Sequence, residues 1–182
     1  MRPRDAISFL NICISMAEGK SKIGHAELIA AEKEYSEGRI QALSYEWGAT
    51  YPNLSKLVII LRKFPKNFKF DYLLSKKSEI ETGLIDCVIS LEPKILESVK
   101  TYATFYARIN DNKNGLAEPA FENVCTELLR ILFEVGVIGI KTSTYDGVRW
   151  SYEDQTWTSA EMDASPTFTV QPTFWMGLAI TD

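Results

Sequence analysis

The stretch Leu132-Phe133-Glu134-Val135-Gly136-Val137-Ile138-Gly139-Ile140 decides how this chain folds. It closes a run that opens at Glu118-Pro119 and carries apolar residues at helical spacing, which predicts a helix over 118–134. Gly136 is a suitable helix stop, because glycine readily adopts the left-handed backbone that ends many helices. The apolar run that follows is short and rich in β-branched residues, and this predicts a buried strand over 137–140.

Two further strands are predicted downstream of this helix and strand. Residues 148–152 alternate in polarity, residues 168–170 form a short β-prone run that ends before Pro172, and residues 173–180 suit a last short helix. A helix that feeds a strand and is followed by an antiparallel pair is the order of a winged-helix domain. A generic α+β cap is the alternative, and the pattern leaves both open.

The upstream part of the chain is predicted to be helical. Pro3 suits the first position of a helix, and Asp5 complements the positive end of the helix dipole. Ile7, Leu10, Ile14 and Ala17 repeat at helical spacing and predict an apolar stripe on this first helix, which Phe9, Cys13 and Met16 widen. Further helices are predicted over 25–35, 36–51, 54–64, 71–77, 78–89 and 93–109, with a loop over 110–115.

The predicted fold class is therefore mostly α, with a helical bundle followed by a small α+β winged-helix domain. The predicted domain boundaries are 1–90 and 91–182, with 93–109 as the first helix of the second domain. With 182 residues, of which 46% are hydrophobic, the chain can bury a substantial core. No apolar run reaches the roughly 18 residues of a membrane span, and no signal peptide is evident, so we expect a cytoplasmic protein without a membrane partner.

Charge is divided unevenly along the chain. Residues 1–116 hold 17 Lys and Arg against 14 Asp and Glu, a balance of +3, whereas residues 117–182 hold 3 against 10, a balance of −7. An acidic surface repels phosphates, so the acidic part at 117–182 is expected to contact protein rather than to read DNA.

The sequence offers no coherent catalytic or metal-binding set. His25 is the only histidine, and the three cysteines lie far apart within apolar helical stripes, which favours buried free thiols over a zinc site. Gly19-Lys20-Ser21 lacks the earlier glycine and the preceding strand of a phosphate-binding loop. We therefore expect neither catalysis nor a resident metal.

A basic segment with interleaved aromatic residues spans 56–77. Such a pattern can follow a nucleic-acid backbone, and it supports the alternative of a stand-alone nucleic-acid-binding winged-helix protein. Aromatic anchors of ordinary helices explain the same pattern, so nucleic acid is the less favoured partner. The candidate contact residues are Lys56, Arg62, Lys63, Lys66, Lys69, Lys76 and Lys77.

The order of several short motifs resembles the C-terminal region of bacterial P-loop ATPases of the KAP, STAND and AAA+ kind. Arg2-Pro3-Arg4-Asp5, followed by the apolar start of the first helix, resembles the beginning of their helical lid. Residues 32–39 and 132–139 continue the resemblance, as do 150–152 and 168–174, where the family often has His in place of Gln171.

This resemblance implies a lid-like helical domain and a winged-helix tail without the catalytic core. The chain has no Walker A loop, so ATP and Mg²⁺ would be bound by a core domain N-terminal to Met1 or in a companion protein. By resemblance, Arg4 first and Arg2 second match the lid arginine that senses nucleotide phosphates. The implied function is a non-catalytic regulatory and protein-interaction module whose partners are that nucleotide-binding domain and another protein.

Overall fold

The computed structural model describes residues 3–89, 91, 105–107, 118–158, 161–162 and 165–182, with residues 3, 4, 118 and 119 described by backbone only. The helices are α1 (Pro3–Met16), α2 (His25–Trp47), α3 (Leu54–Ile59), α4 (Phe70–Ser75), α5 (Lys77–Val88), α6 (Glu118–Glu134) and α7 (Trp175–Leu178), and a 3-10 turn at Pro172–Phe174 precedes α7. The strands are β1 (Asn67–Lys69), β2 (Ile138–Lys141) and β3 (Thr167–Val170). The prediction of a mostly helical chain with a small α+β part is confirmed.

The three strands form one antiparallel sheet in the order β1-β3-β2. Phe168 in the central strand lies opposite Phe68 on one side and Ile140 on the other. Strand β1 was not predicted, because three residues that alternate in polarity give too short a signal to recognise. It lies in the first predicted domain, while β3 lies in the second. The boundary at 90 stays a prediction, and the sheet itself draws on both sides of it.

The predicted strand at 148–152 is wrong. Only Arg149 pairs with β2, through one bridge to Ile140, and the backbone turns after Trp150. Gly139 explains the close approach at this point, because a Cβ there would lie 2.4 Å from Val148 Cγ1 and 2.9 Å from Trp150 Cε3. The side chains of Val148 and Trp150 therefore cover Gly139. The pairing of this segment with β2 is limited to the bridge at Arg149. The identification of a winged helix stays a prediction.

Helix α6 and the sheet share one hydrophobic core with α2, α3 and α5. The predicted bounds of this helix match the observed ones, and its apolar face is wide. Gly136, the predicted stop, adopts the left-handed backbone with φ +76°. Fully buried side chains along it include Phe121, Val124, Cys125, Leu128, Leu129, Ile131 and Leu132. Cys13, Cys87 and Cys125 are buried free thiols, as the sequence predicted.

Helix α2 is continuous where two helices were predicted with a break at residues 35 and 36. The polar run Ser36-Glu37-Gly38 suggested a break, but Ser36 is buried and its hydroxyl accepts a 2.8 Å hydrogen bond from the N–H of Gly177. This contact joins α7 to the middle of α2. Helix α3 is shorter than predicted, because the chain turns after Ile59 and reaches φ +64° at Lys63.

The prediction of a helix over 93–109 lies largely outside the described residues, although 105–107 are helical. The predicted loop at 110–115 also lies outside them. Among the helices that the structure does describe, none has the length and apolarity that crossing a membrane requires.

Candidate functional site

Helix α1 presents an apolar face to solvent. Ile7, Leu10 and Ile14 are 59%, 55% and 62% exposed, and their spacing of three and four residues puts them on one side of the helix. We call these three residues the α1 face. Residues 6–17 contain no charged side chain, so α1 itself contributes no charge to this face between Asp5 and Glu18.

The opposite side of α1 packs against α2. Cys13 is fully buried, Ala17 is nearly so, and the ring of Phe9 meets the ring of Tyr35 edge-on at 5.8 Å. The predicted apolar stripe is therefore divided: Cys13 and Ala17 are buried, whereas Ile7, Leu10 and Ile14 face solvent. Because α1 is apolar on both sides, periodicity alone could not tell which side packs within the chain. The missing charge over residues 6–17 was the signal for a second apolar face.

The candidate nucleotide-sensing arginines lie at the start of the same helix. The backbone of Arg4 lies in the first turn of α1, and Arg2 lies outside the described residues. Beside this turn, the cleft between α1 and α2 is lined by Asp5, Ser8 and the ion pair of Arg39 with Glu46, whose atoms are 3.2 Å apart. The sensing role of Arg4 and Arg2 stays a prediction.

A groove with a volume of about 850 Å³ runs between α3 and α5, and we call it the α3–α5 groove. Its floor includes the apolar side chain of Ile60. Gly83 lets α5 approach this side chain closely. A Cβ on Gly83 would lie 2.5 Å from Ile60 Cγ1. The lining residues are Lys56, Ile59, Ile60, Arg62, Lys63, Ser78, Glu79, Thr82, Gly83, Asp86 and Ile89.

The charged side chains around this groove differ in whether they have a partner. The ammonium of Lys56 donates to the backbone carbonyl of Asp86 at 3.4 Å, which bridges the groove. Glu79 lies 3.5 Å from the ammonium of Lys76. Arg62 and Lys63 are exposed and have no ion pair within the part of the chain that the structure describes. One wall of the groove therefore carries two positive charges, Arg62 and Lys63, for which the described residues provide no ion-pair partner.

The remaining basic residues of 56–77 are placed differently. The ammonium groups of Lys66, Lys76 and Lys77 lie over the rings of Trp175, Tyr72 and Phe121 at 4.5, 5.8 and 5.3 Å, which is cation–π geometry. Lys66 also pairs with the carboxylate of Asp182, and Lys69 is exposed on β1. The structure thus brings Lys56, Arg62 and Lys63 together at the groove and separates the other four. Nucleic-acid contact by the set stays a prediction.

Near the end of α6, polar side chains hydrogen-bond to one another and to Tyr51. The hydroxyl of Tyr51 donates to Glu134 Oε2 at 2.8 Å, and Arg130 donates to Glu127 at 3.0 Å and to Glu134 at 2.9 Å. Burial and the Glu134 carboxylate raise the pKa of Tyr51. Burial alone would lower the pKa of Arg130, but its bonds to Glu127 and the other groups outweigh that effect and raise it.

Arg149 contacts several residues of the acidic segment between β2 and β3. Its guanidinium donates to the carbonyls of Asp154 and Thr156 at 3.0 and 2.7 Å, pairs with Glu161, and lies 4.9 Å from the ring centre of Phe133. Hydrogen bonds from Thr156 hold the pKa of Asp154 below its usual value. Asp154 and Glu161 therefore serve internal contacts.

Metal-binding groups do not cluster in the described parts of the chain, where no set of three or more His, Cys, Asp or Glu side chains is close enough to hold an ion. His25 lies exposed at the first position of α2. The two surfaces that remain as candidates are the α1 face and the α3–α5 groove.

Comparison with known proteins matches residues 1–44 to the family model of the FunZ-associated C-terminal helical domain. The match covers α1 and most of α2, and so includes the α1 face. No curated protein and no solved structure matches the chain.

Proposed function

We propose that this chain is a non-catalytic, C-terminal regulatory module of a bacterial P-loop ATPase and that its α1 face docks on the nucleotide-binding domain. The α1 face carries the proposal, because three large apolar side chains are more than half exposed within the segment that resembles a C-terminal helical domain. Contiguous exposed apolar side chains typically mark an interaction site.

The energetics favour a protein partner for this face. Full burial of an isoleucine or leucine side chain contributes about 1.5–3 kcal/mol, so three such side chains can anchor an interface. The absence of charge over residues 6–17 means that covering the surface desolvates no ionised group of α1 in that stretch. A nucleic-acid backbone would gain nothing from such a surface.

The same docking would bring the start of α1 to the partner domain. Arg4 lies in the first turn of α1, about one helical turn before Ile7, so docking of the α1 face would bring this end of the helix to the partner domain. Arginine suits nucleotide sensing because its planar fork binds phosphate oxygens in pairs. We assign nucleotide sensing to Arg4, with Arg2 as the second candidate, and ATP with Mg²⁺ to the partner domain.

The C-terminal half would act as a protein-contacting support rather than as a DNA reader. The helix that a winged-helix protein places in the major groove corresponds to α6, where acidic side chains outnumber the single Arg130 and would repel phosphates. We assign the module, with its winged-helix-like half, to the cytoplasm, where reduced thiols such as Cys13, Cys87 and Cys125 persist.

ATP turnover tests this assignment. The purified chain is expected to show neither ATP binding nor hydrolysis. The hydrolysis rate of the P-loop domain encoded with it, in the same or a neighbouring reading frame, is expected to change when the chain is added. Arg4→Ala should remove that change while the exposed control Lys33→Ala keeps it. Clear ATP hydrolysis by the chain alone would contradict the proposal.

A further inference from the structure

We propose that the α3–α5 groove binds an acidic, amphipathic segment of a second protein partner. The site is separate from the α1 face, since it is built by different helices. It would make the module two-sided, with one surface for the nucleotide-binding domain and one for another protein.

The groove offers anchoring positions for apolar side chains. Ile59 and Ile89 are 40% and 71% exposed at its edges, and Ile60 forms its floor against Gly83. Its volume of about 850 Å³ is large enough for several side chains of a peptide. An apolar residue that enters here meets isoleucine side chains on both walls, so burial would supply the affinity.

The charges select the sign of the partner. Arg62 and Lys63 follow α3 on one wall, both exposed and without an ion pair among the described residues. On the other wall, Glu79 is already next to Lys76. An acidic residue beside the apolar anchor would therefore find two cations that need a counter-charge. Such charge complementarity determines specificity and association rate more than total affinity.

A protein fits this groove better than nucleic acid does. Arg62 and Lys63 are two cations at one wall, a set that suits one or two carboxylates of a peptide, whereas a nucleic-acid backbone carries a continuous row of phosphates along its length. The described residues that line the groove include no aromatic side chain, so they offer bases none of the stacking surfaces that single-stranded binding uses.

One feature disfavours the acidic C-terminal part of a second copy as the occupant. Acidic side chains of this chain's own C-terminal part, such as Asp154 and Glu161, are held in internal hydrogen bonds with Thr156, Thr158 and Arg149. They would have to break these bonds to reach the groove of another molecule.

A random 12-residue peptide library displayed on phage tests the proposal with the full chain as bait. Selected peptides are expected to be enriched in leucine, isoleucine or aromatic residues flanked by Asp and Glu. Fluorescence anisotropy with the best peptide should show at least tenfold weaker binding to Arg62→Glu/Lys63→Glu than to the wild type. The matched control Lys22→Glu/Lys33→Glu changes charge equally at exposed sites outside the groove and should keep the affinity.

Ile89→Asp provides a second variant at an exposed position, and it should also weaken peptide binding at least tenfold. Selection of basic or uncharged peptides would overturn the proposal, as would no enrichment or equal affinity for the groove variants. Salt-dependent DNA binding that the groove variants abolish would assign the groove to nucleic acid instead. Dimerisation of the wild type that these variants abolish would assign it to a second copy.

Discussion

Tyr51 and Glu134 connect the loop before α3 to the end of α6. The Tyr51 hydroxyl is buried and donates its proton to a carboxylate that Arg130 also holds. Replacement of Tyr51 by Phe should lower the free energy of unfolding by about 0.5–1.5 kcal/mol, since one hydrogen bond is lost and a carboxylate oxygen loses a donor. Urea denaturation measures this change. Tyr45→Phe is the control, because Tyr45 is 91% exposed and its loss should leave stability unchanged.

The same pair predicts how stability depends on alkaline pH. The pKa of Tyr51 is raised above the usual 10.0 by burial and by Glu134, so the folded state holds the phenol proton more tightly than the unfolded state. This contribution is complete below the unfolded pKa and is lost as pH rises through the folded pKa. Wild type should therefore lose more stability than Tyr51→Phe as the pH rises past 10. Parallel loss in both proteins would show that Tyr51 does not titrate this way.

Gly177 lies where α7 packs closely against α2, and this packing requires glycine. A Cβ at this position would lie 2.9 Å from Ser36 Oγ and 3.0 Å from Ile40 Cδ1, so α7 would have to move away from α2. Gly177→Ala should destabilise the protein by about 1–3 kcal/mol. Gly38→Ala, on an open face of α2 with no atom within 4 Å, should instead stabilise it by about 0.5–1 kcal/mol. Equal effects of the two changes in thermal denaturation would contradict this packing.

At the scale of secondary-structure elements, Arg149 holds the acidic segment after β2. Replacement of Arg149 by Ala removes donors to the carbonyls of Asp154 and Thr156 and the pair with Glu161. Loss of about 1–2 kcal/mol of local stability should speed cleavage within 153–158 about 5–30-fold in limited proteolysis. Arg39→Ala, which loses an ion pair on α2, should leave cleavage there unchanged. Equal cleavage of both variants would contradict this role of Arg149.

The helices were predictable where one feature decides them. Helix α6 has a wide apolar face and Gly136 after it, and its bounds were predicted correctly. The sequence could not show that α2 continues through Ser36, because the stabilising contact comes from Gly177, 141 residues away. Strand β1 depends in the same way on its pairing with β3, a partner about 100 residues downstream.

The candidate site was predictable only in part. The basic residues Lys56, Arg62 and Lys63 were identified from sequence, and they line the α3–α5 groove. Their separation from Lys66 could not be foreseen, because Lys66 is held by Trp175 and Asp182 near the end of the chain. The stripe predicted for α1 included both the α1 face and the buried Cys13 and Ala17, since nothing local in a widely apolar helix distinguishes an internal partner from an external one.

At the scale of the whole molecule, the uneven charge takes on a different meaning. The acidic balance of residues 117–182 suggested an acidic surface, yet Glu134, Asp154 and Glu161 take part in internal contacts. Part of the excess positive charge of the first part lies at the groove wall with Arg62 and Lys63. The surfaces proposed for partners are thus an uncharged helix face and a groove with one basic wall, both built before residue 90.

The most direct test of the docking proposal is the affinity of the chain for the nucleotide-binding domain encoded with it, measured by isothermal titration calorimetry. Leu10→Asp puts a charge at the centre of the α1 face, and Ser15→Asp puts the same charge at an exposed position outside it. Loss of a leucine anchor of about 1.5–3 kcal/mol predicts at least tenfold weaker binding for Leu10→Asp, with Ser15→Asp close to wild type. Equal affinities of Leu10→Asp and wild type would contradict docking through the α1 face.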